Sequence, residues 1–334
     1  MGATVPAVSL HPPTIADVKG AAAILSGVAV RTPLLAAPIL SGRLGRTVFV
    51  KPEMLQVTGS FKFRGAYHFI SRIPAPDRAR GVVAYSSGNH AQGVAAAAAR
   101  FGIPATIVMP ADAPATKIAR TKGHGATVVS YDRERESREE IAAAIAAASG
   151  ATILPPYDHP WTMAGQGTIG LEIAADWDPN LEAPIVLVPA SGGGLAAGIG
   201  IALEVELPGA CVHLVEPEGF DDHARSLASG TRVATDRTGG SICDALLNRM
   251  PGEITFEVNR RLAGGAHAVS DPAVLRAMAV AYEEMRLIVE PGGAVGLAAL
   301  LEGMVPGTGP VVVVLSGGNV DPALLMQAIR SGES

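Results

Sequence analysis

Short runs of consecutive apolar, largely β-branched residues alternate along this chain with alanine-rich segments of helical length. The runs lie at 47–51, 82–86, 105–109, 127–131, 185–189, 212–216 and 311–315, and the helical segments include 91–101, 115–122, 137–148 and 272–285. Several runs are apolar throughout rather than alternating, the pattern of strands covered on both faces in a parallel sheet. Strand–helix alternation therefore predicts an α/β architecture with right-handed crossovers. A chain of 334 residues suggests about two domains. Hydrophobic residues make up 48% but aromatic ones only 4%, so the core is built from Ala, Val, Ile and Leu.

The segment 81–154 reads as a self-contained block of three βα units, VVAYSSGNH, ATIVMP and ATVVSYD, each followed by a helix. The proline-rich stretch ILPPYDHPW marks a boundary. Glycine-rich loops after 185–189 and 311–315 suggest a second, larger sheet, which the TVFVKPE strand and the segment around Lys62 join. The charge cluster at 132–140 reads as the solvated start of a helix. A net charge of −5 argues against a nucleic-acid partner. Cys211 and Cys243 are too few for a disulfide framework and fit a reducing, cytoplasmic setting. No apolar run approaches the ~20 residues of a membrane span. The start, MGATVPAVSLHPPT, lacks the features of a signal peptide and reads as a flexible lead-in.

Lys62 is the centre of the chemistry. It lies at a helix start between Phe61 and Phe63, in TGSFKFRGA. A helix N-terminus disfavours a nearby cation, and apolar neighbours disfavour the charged ammonium. Both lower the lysine pKa, and a neutral amine is what attacks a carbonyl to form a Schiff base. Ser191-Gly192-Gly193-Gly194-Leu195 follows a strand and opens a helix, the arrangement that turns backbone amides toward a phosphate. No lysine follows at the spacing of an ATP-binding loop. Gly192, Gly194 and Ala197 also fit a loose dinucleotide fingerprint, with Glu216 placed 22 residues after Gly194 as a ribose-binding acid. A nicotinamide dehydrogenase is therefore a rival reading. Three more glycine loops, at 86–90, 290–294 and 315–319, are expected to converge with this one on a single cleft.

The motifs KPEMLQVTGSFKFRGA, SSGNHAQG, AGQGTIGLEI, SGGGL, VEPEG, EPGGAVGLAAL and LSGGNVD run in order over nearly the whole chain. Together they resemble the fold-type II pyridoxal-phosphate enzymes, in the branch of threonine/serine dehydratases and serine racemases. The resemblance implies a two-domain α/β fold of the tryptophan synthase β type, with open, mostly parallel twisted sheets and helices on both faces. Residues 1–75 and 158–334 would form the large cofactor-binding domain, and 80–155 the small one. It implies that Lys62 is the Schiff-base lysine and that Phe61 packs beside the cofactor ring. Asn89 would bond the ring hydroxyl, Gly192, Gly193, Gly194 and Leu195 would hold the phosphate, and Ser316 would face the ring nitrogen. Ser86, Ser87, Asn89, His90 and Asn248 would lie on the substrate side, with Ser87 at the racemisation position.

The activity implied is loss of the β-hydroxyl from threonine, serine or a 3-hydroxy analogue, giving a 2-oxo acid and ammonia. The lysine freed by the substrate acts as base at the α-carbon, and the cofactor ring stabilises the charge left behind. The resemblance also implies a divalent-cation site for Mg²⁺, Mn²⁺ or Ca²⁺ at Glu216, Asp222 and the Phe220 carbonyl, the oxygen donors such ions take. Two departures from the family pattern fall at Ala245, where glycine is common, and at Leu247-Asn248-Arg249. Cys243 reads as a buried structural thiol, His213 and His68 as structural. The expected protein is a cytoplasmic homodimer with a small amino-acid substrate, without a C-terminal regulatory domain or feedback inhibition through one. An amino-acid racemase and a non-catalytic amino-acid-binding protein stand as alternatives beside the dehydrogenase.

Overall fold

The apolar runs become strands of two separate sheets in a computed structural model that describes residues 11–332, and all but the 127–131 run lie inside their sheet. The larger sheet contains β1 (Leu35–Ala36), β2 (Val48–Pro52), β7 (Ile185–Pro189), β8 (Cys211–Pro217), β9 (Ala263–Val269) and β10 (Val311–Leu315). Their order is β1-β2-β10-β7-β8-β9, parallel throughout except for β1 against β2. The all-apolar run VVVVL of β10 is fully buried between β2 and β7. The smaller sheet, all parallel, has β3 (Val82–Tyr85), β4 (Ala105–Pro110), β5 (Thr127–Tyr131) and β6 (Thr152–Ile153), in the order β5-β4-β3-β6. The expected mixed α/β class with parallel sheets is the one observed.

Strands β1, β6 and β9 carry too weak a pattern to be read from sequence. The first two are only two residues long. Strand β9, AGGAHAV, has Val269 as its one β-branched residue, because its neighbour fills the space over its glycines: a Cβ at Gly265 would lie 2.9 Å from His213 Cε1. His213 lies within strand β8 and is buried, with its Nδ1 2.9 Å from His267 Nε2. The helix read as starting at Ala91 begins two residues earlier and spans Asn89–Phe101, so Asn89 and His90 lie in its first turn. The charge cluster is exposed and leads into helix Arg138–Ser149, whose N-cap Ser137 Oγ accepts the Glu140 amide at 3.2 Å. Thr14 and Asp17 form a reciprocal cap on helix Ile15–Leu25. Residues 1–10 of the expected lead-in, and the signal-peptide reading that rests on them, lie outside the described residues. Among the described residues, no helix is long and apolar enough to cross a membrane.

The packing that matters most for the site joins helix Lys62–Arg72 to helix Pro160–Asp176. They touch backbone to backbone: a Cβ at Gly165 would lie 2.7 Å from Gly65 Cα and 2.8 Å from the Arg64 carbonyl oxygen. Gln166 Oε1 accepts the Gly65 amide at 3.2 Å in the same crossing. Gly165→Ala should therefore destabilise the protein by about 1–3 kcal/mol through overpacking. Gly20→Ala, in helix Ile15–Leu25 with nothing within 4 Å of its would-be Cβ, should stabilise by about 0.5–1 kcal/mol. Denaturant titration of the two variants checks both signs.

Candidate active site

A buried ionic network sets the position of the Lys62 helix. The Arg64 guanidinium is paired in parallel with Glu53, Nε to Oε2 and Nη2 to Oε1, both at 2.8 Å. It also donates to Glu172 at 2.6 and 3.0 Å, to Thr168 Oγ1 at 3.2 Å and to the Val30 carbonyl at 3.1 Å. Lys51 on β2 donates to Glu172 and to the Thr32 carbonyl, each at 2.6 Å, and Thr32 Oγ1 donates to Glu53 at 2.6 Å. Two cations and two anions, nearly removed from water, are mutually satisfied. Charges so buried recover their desolvation cost only in such geometry. The network joins β2, the turn Glu53–Leu55, the Lys62 helix and helix Pro160–Asp176.

Lys62 is the first residue of that helix. Its Nζ donates to the Pro156 carbonyl at 2.8 Å and lies 5.0 Å from the centre of the Phe61 ring. Burial pushes its pKa down to about 8, the direction expected from sequence. Phe63 belongs instead to the fully buried core beneath helix Asn89–Phe101.

Three polar loops are laced together beside Lys62. Ser60 forms a β-bridge with Gly317, the Phe61 amide donates to the Ser316 carbonyl at 3.1 Å, and the Gly318 amide donates to the Gly59 carbonyl at 2.9 Å. Asn319 Nδ2 donates to the Thr58 carbonyl at 2.9 Å and to Asn89 Oδ1 at 2.8 Å. Asn89 Nδ2 donates in turn to Glu290, whose own amide bonds the Gly317 carbonyl at 3.0 Å. Burial raises the Glu290 pKa to about 7. Ser316, at the end of β10, is buried. Ser86 and Ser87 are half-buried in the bend after β3, with Ser86 Oγ accepting the Gly88 amide at 3.2 Å. His90 is buried with Nε2 3.1 Å from the Leu154 carbonyl oxygen, and burial followed by the Lys62 charge lowers its pKa to about 3.

The glycine loop reaches Lys62 through Pro156-Tyr157. The Tyr157 ring lies directly on Gly192 where any side chain would stand, and a Cβ at Gly194 would lie 2.8 Å from the Tyr157 carbonyl oxygen. Gly193 has φ +91°, and the helix Gly194–Glu206 that follows has no side-chain cap. Thr255 Oγ1 donates to the Gly192 carbonyl, and Asn259 Nδ2 to that of Gly193 at 3.2 Å. With these carbonyls engaged, the backbone amides at the helix start are the groups suited to meet an anion. Leu195 is buried in the core beneath. Asn248 does not touch Lys62 directly. It accepts the Tyr157 hydroxyl at 3.1 Å and donates to the Met250 carbonyl.

Glu216 and Asp222 stand apart from Lys62, behind the glycine loop. Glu216 accepts the amides of His223 and Ala224, each at 3.1 Å. It thus caps helix Asp222–Ser229 and is not presented as a ribose acceptor. Burial raises the pKa of both carboxyl groups, and the neighbouring Asp222 charge raises that of Glu216 further. Phe220 is buried. Cys243 is buried, which pushes its thiol up to about 12, and His68 is buried with Nδ1 2.7 Å from the Trp161 carbonyl oxygen. Across the cleft, Lys117 on helix Ala115–Gly123 pairs with Asp244, and Arg120 Nη1 donates to Asn319 at 3.3 Å. Ala245 lies beside Gly292, whose would-be Cβ is 3.3 Å from the Ala245 Cβ.

Pro156, Tyr157, Glu290, Asn319 and His223 escape the sequence reading of the site. The first two lie in ILPPYDHPW, read only as a boundary; a tyrosine inside a proline-rich link between sheets was the available signal. Glu290 and Asn319 lie in the EPGGA and LSGGN motifs, where the sequence alone gives them no role.

With this geometry in view, residues 25–317 match the family described as pyridoxal-phosphate dependent enzymes. The chain belongs to that family. Over 306 residues it is 44% identical to an L-threo-3-hydroxyaspartate ammonia-lyase of Pseudomonas sp, covering 91% of this chain and 95% of that one. It is 39% identical to an L-threonine ammonia-lyase of Thermotoga maritima, covering 96% and 79%. Among solved structures, maize serine racemase superimposes with a TM-score of 0.88 at 35% identity, covering 96% of this chain and 98% of that one. These similarities support the fold-type II assignment and displace the dehydrogenase reading.

Two outcomes test the geometry. In cofactor-free protein, amine-reactive labelling of Lys62 followed by mass spectrometry should rise with pH with a midpoint near 8, not near 10.5, because the neutral fraction appears at the lowered pKa. Arg64→Met should cost about 3–5 kcal/mol in chemical denaturation, since Glu53 and Glu172 would stay buried without their partner.

Proposed function

We propose that the chain is a pyridoxal-phosphate-dependent ammonia-lyase that converts a β-hydroxy-α-amino acid to a 2-oxo acid and ammonia. One observation carries the reading: a buried lysine amine with lowered pKa stands between a glycine cradle at a helix start and the Asn89 cluster. The donor set fits pyridoxal phosphate. The amine suits its aldehyde, the cradle admits no side chain and suits its phosphate, and Ser316 suits its ring nitrogen. When bound, the cofactor supplies an electron-accepting ring that makes the α-hydrogen of an attached amino acid acidic.

The remaining work falls to the chain. Gly192, Gly193, Gly194 and Leu195 bind the phosphate through backbone amides aided by the helix dipole. Phe61 packs beside the ring, and Asn89 bonds its hydroxyl. Ser316 offers a neutral hydroxyl to the ring nitrogen, which keeps the electron sink shallow and favours prompt elimination. Lys62 Nζ takes the α-proton, and a pKa of about 8 leaves a working neutral fraction near neutral pH. The first-turn amides of helix Asn89–Phe101, with Ser86 and Ser87, hold the substrate carboxylate, while the His90 ring, committed to Leu154, orients that turn. Loss of the hydroxyl as water, followed by water replacing the amino group, balances to one 2-oxo acid and one ammonia.

Of the expected domains, 1–75 with 158–334 and 80–155, we place the described residues of the first around the larger sheet and those of the second around the smaller, and expect a homodimer. Glu216, Asp222 and the Phe220 carbonyl are offered as a divalent-cation site. Lys117 is paired with Asp244, whereas Arg120 donates to the neutral Asn319 amide and so brings positive charge to the cleft wall, which favours a second carboxylate on the substrate, as in 3-hydroxyaspartate, over threonine or serine. The cofactor-loaded protein should release 2-oxo acid and ammonia in equal amounts, with the highest kcat/KM on 3-hydroxyaspartate. Arg120→Ala should lower that kcat/KM about three- to tenfold, about 0.7–1.4 kcal/mol, and change the value for threonine less. D-amino acid formed without 2-oxo acid would identify a racemase instead.

A further inference from the structure

Among the described residues, the one cluster of three side chains able to hold a metal ion is Glu216, Asp222 and His223, all buried, with ligand atoms within 4.8 Å of one another. The sequence reading has only the two carboxylates and a backbone carbonyl, an all-oxygen set. The imidazole is a different kind of donor. Both oxygens of Asp222 and both ring nitrogens of His223 are buried without a hydrogen-bond partner. The Ser191 backbone lies near the His223 ring, yet forms no bond to it of proper geometry. Unpartnered polar groups taken out of water are costly, and a cation bound by all three groups removes that cost. Bonds of about 2.0–2.5 Å from one ion reach ligand atoms at this spacing.

His223 also faces the glycine cradle. A Cβ at Gly193 would lie 2.7 Å from His223 Cε1 and 2.8 Å from Nε2. An ion held by this ring would stiffen the wall of the cradle.

We propose that His223 is a ligand of the cation site, so that the site is a mixed nitrogen–oxygen site that favours Mn²⁺ or Co²⁺ over Mg²⁺ and Ca²⁺ and ties the ion to the glycine loop. Imidazole suits transition metals, whereas Mg²⁺ and Ca²⁺ take oxygen donors. The inference rests on Glu216 and Asp222 being cation ligands and is independent of the substrate.

The test titrates metal-stripped holoenzyme with Mg²⁺, Ca²⁺, Mn²⁺ and Co²⁺ in turn by calorimetry, and records pulsed EPR of the Mn²⁺-loaded protein. One Mn²⁺ or Co²⁺ per chain and a ¹⁴N coupling to bound Mn²⁺ are expected. His223→Gln should weaken Co²⁺ binding about 10- to 100-fold, change Ca²⁺ binding less than about threefold, and abolish the ¹⁴N coupling. Unaltered Co²⁺ affinity in that variant, or wild-type Mn²⁺ without a ¹⁴N coupling, overturns the histidine ligand and leaves an all-oxygen site standing. Absence of binding by all four ions overturns the histidine ligand and the cation site together.

Discussion

The Arg64 guanidinium, held between Glu53 and Glu172, is the interaction on which the rest of the site depends. It fixes the Lys62 helix against the turn Glu53–Leu55 that follows β2 and against helix Pro160–Asp176 at once. Helix Pro160–Asp176 begins just past Pro156, the residue whose carbonyl receives the Lys62 amine. The same helix thus anchors Lys62 from both ends, through Glu172 far along it and through the Pro156-Tyr157 link before it. The Gly65–Gly165 contact makes that crossing close enough for both anchors to hold.

From this fixed amine the site spreads along two arms. One runs through Tyr157 to Gly192 and the cradle at the start of helix Gly194–Glu206, and past Gly193 to His223 and the buried carboxylates. The other runs through Phe61 and Ser316 to Asn319, Asn89 and Glu290. Each loop lies at a strand end or a helix start, where open parallel sheets collect their ligands. The small sheet reaches the second arm through Asn89, and also across the cleft through Lys117 and Arg120.

Much of this was legible in the sequence because the strongest signals are local. The VVVVL run carries the pattern of a parallel strand covered on both faces, and Lys62 beside Phe61 at a helix start already foretold a lowered pKa. Continuous glycines after 185–189 marked the cradle. What stayed hidden depends on contacts between distant residues. Strand β9 has no strand-like composition, since Cys211 and His213 on β8 occupy the volume its glycines leave. Arg64 and Glu172 are ordinary charges until the fold brings them together from 108 positions apart. Tyr157 looked like part of a linker, and His223 became a candidate ligand only when its unpartnered ring was seen beside Asp222.

The central claim is that Lys62 carries the cofactor. Borohydride reduction of protein loaded with pyridoxal phosphate, followed by peptide mass analysis, tests it most directly. The account predicts loss of the visible absorption band and a reduced pyridoxyl adduct on the peptide containing Lys62. An adduct confined to another lysine, or none at all, would contradict it.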